Sequence, residues 1–387
     1  TSQWNLTEGA TMPSLQYEDP DVYEEVQVAG ASKGADAPVG GSFNNFIVKS
    51  GGNNVHGLFF YDREPLSLQS SNLSDELVAQ GVANTSSVAR YQSVHADIGG
   101  PVMRDKFWWF YGFRRLNSDN WTPGYYNTYT LEPEPVYTTL QNHATKLNFR
   151  LNSNHTLSYS AQYNSKSLPN SGASAFVDSA STSLTDFPYW IQGAGLTSIL
   201  NNRSTLEVKW GEFGWKWWTR PGADEISRMD LDTQLVRGGR NSPFIDQSHH
   251  MNISGVYSLT TAGDRSGDHN LRVGYGYLYE GAPYNYLAPK DSIRTFWRGG
   301  FVTPVEIETY DTPFSFQNDV THQWAFINDT WTLGRFSING GVRLDSFKPY
   351  YEEQGKDGSG PYQDVVTYPG FDFHRLNGFV PRISTVY

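Results

Sequence analysis

One short motif in this 387-residue chain has the residue types of a catalytic nucleophile. Gly30-Ala31-Ser32-Lys33-Gly34 matches the G-x-S-x-G pattern of a hydrolase elbow, which needs a strand before the serine and a helix after it. Pro38 and the pair Gly40-Gly41 follow, and these residues do not predict a helix. We therefore interpret the motif as a loop, and the sequence leaves open a serine–histidine pair assembled elsewhere by the fold.

Candidate metal ligands are also sparse. His249 and His250 are adjacent, and adjacent residues on a strand point to opposite faces, so they cannot readily share one ion. Asp264 and Asp268 lie in a predicted turn, and the segment 357–360 lies in a predicted loop. Both lack the ligand spacing of a calcium loop, and turn chemistry accounts for them better. The sequence thus predicts no catalytic residue, no metal site, no cofactor and no enzymatic activity.

The composition narrows the class of protein. Zero Cys excludes a disulfide scaffold and a thiol nucleophile, and 29 Lys+Arg against 40 Asp+Glu, a net charge of −11, argue against a nucleic-acid partner. The mean hydropathy is −0.54, and no apolar run approaches the roughly 18 residues that a spanning helix needs. The chain nevertheless contains 22 Phe, 24 Tyr, 12 Trp and 37 Gly. A polar chain that is rich in aromatic residues and glycine is typical of an outer-membrane β-barrel.

Period-2 alternation predicts the elements that must position these residues. Leu271, Val273 and Tyr275, for example, alternate with Arg272 and Gly274. We predict strands near 55–63, 90–99, 106–117, 140–151, 155–165, 191–200, 204–218, 247–260, 269–280, 319–332 and 336–348, with a twelfth beginning near 378.

The connections between these strands are alternately short and long. Asn152-Ser153-Asn154 is a short one, whereas the long ones run to roughly 20–40 residues, beyond the usual loop. A membrane barrel has this alternation, with short periplasmic turns and long extracellular loops. A soluble sandwich or a propeller fits less well, since a propeller would show an internal repeat. The first strand then rises from the periplasm, which places the residues before it on the periplasmic side or inside the lumen as a plug.

Several motifs resemble a known family. Segments 24–28, 40–53 and 56–61 are similar to the end of the plug and the first barrel strand of TonB-dependent outer-membrane receptors, especially the Oar-type branch. Further segments match motifs of that branch in order: 98–102, 105–110, 328–331, 341–345 and 381–383. The spacing at Val55-His56 departs from the family pattern.

This resemblance implies an all-β, antiparallel, transmembrane outer-membrane β-barrel of 22 strands, of which 11–12 are present, preceded by the C-terminal part of a plug domain. Residues 1–54 would end the plug, and residues 55–387 would form the N-terminal half of the barrel. An open sheet would leave unpaired backbone groups in lipid, so the chain is either a fragment or a complete 12-strand barrel. Pro381 in the last strand favours the fragment, whereas the terminal aromatic Tyr387 would suit a genuine barrel end.

The resemblance also implies TonB-dependent active transport across the outer membrane of a Gram-negative bacterium. The ligand would be an oligosaccharide, a peptide or a protein-derived molecule. The implied partners are the TonB–ExbB–ExbD energising complex, outer-membrane lipid and an extracellular ligand, with a surface lipoprotein as a further candidate. The alternatives are a passive porin, a surface adhesin and an outer-membrane hydrolase.

Two groups of residues are candidate functional positions. At the plug–barrel junction, glycines permit positive φ and close backbone approach, and Lys49 could pair with a carboxylate of the wall. This junction group is Gly40, Gly41, Asn45, Lys49, Gly51 and Gly52. In the predicted outer loops, flat aromatic rings could stack on sugars or hold peptide side chains, or could simply pack the loops together. This aromatic group is Trp121, Tyr125, Tyr126, Tyr129, Tyr189, Trp190, Tyr284, Tyr286 and Trp297.

A further group of aromatic residues is predicted to include girdle residues at the membrane interfaces. The group is the run 107–111 together with Trp215, Trp217 and Trp218.

Overall fold

The computed structural model describes residues 17–29, 35, 43–80, 85–262 and 267–387. The strands in this part of the chain are β1 (Tyr23–Ala29), β2 (Phe43–Val48), β3 (His56–Arg63), β4 (Ser87–Met103), β5 (Phe107–Tyr126), β6 (Pro133–Val136), β7 (Thr139–Arg150), β8 (His155–Ser171), β9 (Ser183–Asn201), β10 (Ser204–Pro221), β11 (Ser227–Asp230), β12 (Val236–Arg237), β13 (Phe244–Thr261), β14 (Asp268–Tyr286), β15 (Ile293–Arg298), β16 (Thr303–Thr309), β17 (Phe314–Leu333), β18 (Phe336–Tyr351), β19 (Gln354–Lys356), β20 (Val366–Tyr368), β21 (Phe371–Asp372) and β22 (Leu376–Val386).

Helical structure is confined to single turns. The α-helix α1 covers Asp75–Ala79, and 3-10 turns cover Pro20–Val22, Leu66–Leu68, Ser179–Ser181 and Lys290–Ser292. None of the helices in the described ranges has the length and apolar character needed to cross a membrane.

One antiparallel sheet of 14 strands dominates the fold. Its long strands pair in chain order, from β3 through β4, β5, β7, β8, β9, β10, β13, β14, β17 and β18 to β22, while the short β6 and β21 attach to β5 and β18. Among the described residues, β3 pairs only with β4 and β22 only with β18, so the sheet has two edges. All twelve predicted strands are present, which confirms the predicted all-β antiparallel class.

Most of the strands are longer than predicted, and the extra length lies largely at the end of the sheet with the long connections. β14 extends to Tyr286 instead of 280, and β9 begins at Ser183 instead of 191. The ladder continues there because cross-strand aromatic pairs such as Tyr284 with Phe316 keep the strands in register. We call this end of the sheet the mouth.

The two faces of the sheet have opposite polarity. The inner face, which carries the N-terminal segment, buries polar side chains such as Ser93, Asn142 and His322. The outer face exposes aliphatic and aromatic side chains, with Val273 42% and Leu344 54% exposed. A sheet that is polar inside and apolar outside is suited to a hydrocarbon surrounding, and this is the pattern of a membrane-barrel wall.

The N-terminal segment forms its own small sheet against the inner face. β1 and β2 pair only with each other, in antiparallel register. Lys146 on β7 donates to the carbonyl oxygen of Val48 at 2.7 Å, and Asn142 donates to the carbonyl of Tyr17 at 2.6 Å. Val22 and Val48 pack on Phe110 and Ala144 of the wall. The segment therefore fills space that the wall would otherwise leave open.

The long connections contain ordered structure of their own. β12, β11, β15 and β16 form a four-stranded sheet in which β11 and β15 run parallel. Asp230 at the end of β11 is buried and accepts hydrogen bonds from the backbone N–H groups of Thr233 and Phe301, both at 2.9 Å. These donors hold the pKa of the Asp230 carboxyl well below its usual value, at about 2. A permanently ionised carboxylate thus joins two connections that are distant in sequence.

Candidate functional site

A chain of charged side chains joins the N-terminal segment to β4. Lys49 Nζ lies 2.8 Å from Asp97 Oδ2, so the structure places this lysine against a wall carboxylate. His95 continues the chain, with Nε2 3.2 Å from Asp97 Oδ2 and Nδ1 2.7 Å from Asp19 Oδ2. Asp19, His95 and Asp97 are all buried. Buried ions are costly unless paired, so these contacts fix where the segment meets the wall.

The same cluster brings three potential metal ligands together. Oxygen and nitrogen atoms of Asp19, Asp21 and His95 lie within 4.8 Å of one another. However, Arg114 Nη1 on β5 lies 3.3 Å from Asp19 Oδ1 and 3.2 Å from Asp21 Oδ2. A guanidinium therefore already supplies the positive charge between these carboxylates. We interpret the cluster as an ion-pair network that seats the N-terminal segment.

The other predicted junction residues differ in what they do. A Cβ on Gly51 would lie 2.1 Å from the carbonyl oxygen of Trp109, so only glycine fits this close approach. Gly52 has open space around its Cα, and nothing in the structure requires a glycine there. Asn45 is buried and donates to Gln27 across the β1–β2 pair. Gly40 and Gly41 lie outside the described residues, as does the G-x-S-x-G motif at 30–34.

The histidine pair divides between the two faces, as the strand geometry predicted. His249 points outward, with Nε2 3.2 Å from Glu212 Oε1. His250 points inward, with Nδ1 3.5 Å from Glu280 Oε2. The pair therefore cannot bind one ion. Asp357 accepts a bond from the Ser359 backbone N–H, which is turn chemistry, and Asp264 lies outside the described residues.

The fold does assemble a serine–histidine pair. Ser248 Oγ lies 2.9 Å from His250 Nε2, and Glu280 lies beyond the other ring nitrogen. Acyl transfer also needs N–H donors aimed at a developing oxyanion. On β13 the backbone is in register with β10 on one side and β14 on the other, and ladder bonds occupy such donors. We interpret this trio as a polar contact of the inner wall.

The predicted aromatic group is mostly on strands, which corrects the prediction that it lies in loops. Trp121, Tyr125 and Tyr126 are on β5, Tyr189 and Trp190 on β9, Tyr284 and Tyr286 on β14, and Trp297 on β15. Two residues of this group lie in the connections between wall strands: Tyr129 between β5 and β6, and Trp297 on β15 within the long connection from β14 to β17. Local sequence propensity predicted loops in these segments, because it does not show how far cross-strand pairing continues past the membrane.

These aromatic residues do not form one site. Tyr189, Tyr284 and Tyr286 are on the inner face, whereas Trp190 is on the outer face and donates through Nε1 to Glu212 at 3.0 Å. Tyr125 is fully buried, while Tyr129 is exposed. Trp297 lies in the four-stranded sheet and donates to Thr295.

A ladder of rings crosses the inner face at the mouth. Trp217 and Phe244 have ring centroids 4.9 Å apart, Phe244 and Tyr284 5.6 Å apart, and Tyr284 and Phe316 5.4 Å apart. Within the group predicted to include girdle residues, Trp215 and Trp217 are not part of a girdle, because the register places them on the inner face beside Phe187. Only Trp218 of that trio faces outward.

Sequence reasoning missed Phe244, Phe314, Phe316 and Asp246. A signal was present: Tyr284-Asn285-Tyr286 and Phe314-Ser315-Phe316 are alternating aromatic pairs at facing strand ends. Asp246 lies within the ladder, opposite Tyr284 and Trp217. Asp246 is the third residue of β13, at the mouth end of the strand and outside the span 247–260 that the alternation predicts. Burial raises the pKa of its carboxyl to about 6.

Long antiparallel strands in chain order, short turns at one end and an apolar outer face define the class of fold as an outer-membrane β-barrel wall. No protein-family model matches the sequence, and no curated protein is significantly similar to it.

Solved structures with this fold include outer-membrane transporters and receptors. The outer membrane transporter YddB from Escherichia coli matches with a TM-score of 0.65 and 13% identity, covering 86% of this chain and 47% of that one. The alcaligin outer membrane receptor FauA from Bordetella pertussis matches with a TM-score of 0.58 and 12% identity, covering 95% and 47%. The copper transporter OprC matches with a TM-score of 0.54 and 10% identity, covering 95% and 48%. The chain therefore spans about half the length of these proteins.

Proposed function

We propose that this chain is part of a TonB-dependent outer-membrane transporter of the Oar-type branch. Residues 1–54 would be the end of its plug, and residues 55–387 the N-terminal half of its barrel. The observation that carries the proposal is the charged chain from Lys49 through Asp97 and His95 to Asp19, which seats the N-terminal segment against the inner wall. A segment held by paired, buried charges blocks a lumen and can still be released as a unit.

The transported ligand belongs to the oligosaccharide, peptide or protein-derived classes. The energising partner is the TonB–ExbB–ExbD complex, and a surface lipoprotein is a candidate partner at the mouth. Support comes from the half-barrel match to transporters and receptors, and from the motif resemblance along the chain. The protein acts in the outer membrane of a Gram-negative bacterium, and its role is transport without covalent chemistry.

A passive porin or a surface adhesin is the alternative. The experiment compares cells that express the full-length protein with and without functional TonB, using fluorescent peptides and oligosaccharides. Uptake that requires TonB supports the transporter. Uptake that persists without TonB indicates a porin, and surface binding without uptake in either strain indicates an adhesin.

A further inference from the structure

The inner face at the mouth combines stacked rings with Asp246, an acid for which the described residues provide no cationic partner. We define the mouth wall as Trp215, Trp217, Phe244, Asp246, Tyr284 and Phe316, which share the inner face of β10, β13, β14 and β17. These side chains are partly buried, so a ligand can reach them without unfolding the wall.

The ring geometry limits what the mouth wall can hold. Phe244, Tyr284 and Phe316 have neighbouring planes only 16° and 14° apart at centroid separations of 5.6 and 5.4 Å. This is offset stacking, in which each ring covers part of its neighbour's face. A sugar stacks on an open ring face, and the mutual stacking of Phe244, Tyr284 and Phe316 leaves less of their faces open. Ring rims carry partial positive charge and favour the face of another aromatic ring in a T-shaped contact.

The charged residues near the mouth wall also limit which ligand it can bind. The inner-face positions of 213–221, 244–250, 280–286 and 314–322, all of which the structure describes, include Asp246 and Glu280 but no Lys or Arg. Glu280 faces His250. Asp246 has no cationic side chain as a partner in the described part of the chain, although it is partly buried. An ionised, partly buried carboxylate is stabilised by a nearby cation, and a ligand could supply one here.

The chain's own side chains show that a cation is accepted beside these rings. Lys356 Nζ lies 5.6 Å from the ring centroid of Phe314, which stacks on Tyr286 at the end of the ladder. The same lysine pairs with Asp311. At the mouth, a ring and a carboxylate together therefore already contact one ammonium group. Asp246 and the rings beside it form the same combination, for which a ligand could supply the cation.

We propose that the mouth wall binds a basic peptide segment with aromatic side chains, in which a lysine or arginine pairs with Asp246 and the aromatic side chains rest on the rims of the ladder. This inference rests on the proposed function and narrows its ligand from three classes to one. It also excludes an anionic chelate as the ligand of this wall, since nothing on the wall would neutralise it.

The test uses the full-length protein in detergent and three acetylated hexapeptides that alternate tyrosine with lysine, serine or glutamate. Binding is followed by the change in tryptophan fluorescence, and the part of that change that is lost in Trp217→Phe reports on the mouth wall, because the chain contains 12 Trp. The lysine peptide should bind about tenfold more tightly than the serine peptide, and the glutamate peptide most weakly. Equal binding of all three, or tightest binding of the glutamate peptide, would overturn the proposal.

Asp246→Asn should remove the preference for lysine and leave the serine peptide unaffected. Asp364→Asn, which removes an exposed carboxylate of another outer connection, is the matched control and should change nothing. Phe316→Leu should weaken all three peptides and keeps the test valid if Asp246→Asn folds poorly. An unchanged lysine preference in Asp246→Asn, or tighter binding of maltohexaose than of any peptide, would refute the assignment.

Failure of this inference can be told from failure of the proposed function. TonB-dependent uptake of an anionic chelate, with no binding of the lysine peptide, would reject the inference and keep the transporter. Binding of the lysine peptide that depends on Asp246, together with uptake that ignores TonB, would keep the inference and reject the transporter.

Discussion

Asp246 is the residue whose ionisation should be visible in solution. Its pKa is raised to about 6 by burial, and its titratable neighbours are Tyr284 on the facing strand and, two rows below, His250 with Glu280. Only the ionised carboxylate attracts a cation, so binding of the lysine peptide should weaken as the pH falls from about 7 to about 5. The midpoint should lie below about 6, because a bound cation favours ionisation.

Fluorescence titrations across this pH range measure the effect. The serine peptide should show no such trend, and Asp246→Asn should bind the lysine peptide with little pH dependence. If the variant keeps the wild-type pH profile, the titrating group is His250 or Glu280.

His95 joins the N-terminal segment to β4 through its contacts with Asp19 and Asp97. His95→Leu removes the hydrogen-bond partner that Asp19 and Asp97 share, while Arg114 and Lys49 remain. We expect a loss of about 1–3 kcal/mol in the free energy of unfolding, the cost of leaving a buried polar group unsatisfied. Urea unfolding gives the value. His56→Leu, at an exposed histidine of β3, should lower the free energy of unfolding much less. Equal losses in the two variants would show that the buried network does not stabilise the fold.

At this scale the sequence shows which residues need partners but not which partners they find. Lys49 was predicted to pair with a wall carboxylate, and Asp97 is that carboxylate. Asp97 is 48 residues further along the chain, and no local pattern indicates the register that brings it there. Phe316 was missed for the same reason, since its role depends on Tyr284 of another strand.

The two faces of a wall strand should tolerate a charged side chain to different degrees, because one faces lipid and the other faces the lumen. Val273 on β14 points outward and is 42% exposed, while Val256 lies on the inner face of β13 at about the same height. Val273→Arg should cost about 2–4 kcal/mol, the cost of placing arginine near the bilayer midplane. The arginine of Val256→Arg would face a polar lumen, so this substitution should lower the free energy of unfolding by less.

Unfolding of both variants in lipid vesicles measures the difference, and in a soluble sandwich with two buried sides the two changes would be equally costly.

The alternation that motivates this test is a strictly local signal, which is why the number and order of the long strands could be predicted. Strand ends and the four-stranded sheet could not, because β11 pairs with β15 across a long stretch of sequence.

At the scale of the whole molecule, the two ends of the sheet should face different compartments. Asn120 near the mouth and Lys290 in a long connection are exposed, whereas Asp105 and Ser153 lie in turns at the opposite end. The chain contains no Cys, so single cysteine substitutions at these four positions report accessibility without background. A membrane-impermeant thiol reagent added to intact cells should label Asn120→Cys and Lys290→Cys only. Labelling of Asp105→Cys or Ser153→Cys would reverse the orientation.

The order of pairing along the sheet has a consequence in time. Each long strand pairs with the long strand before it, so the wall can grow one hairpin after another at the rate of local contacts. The contacts of the N-terminal segment span longer separations along the sequence. Asp19 is 76 residues away from its partner His95, and Ala35 is 293 residues away from its partner Asn328. The N-terminal segment can therefore be seated in two stages. Its ion pairs with β4 and β5 can form with the first hairpins of the wall, whereas the contact of Ala35 must wait until β17 has been made.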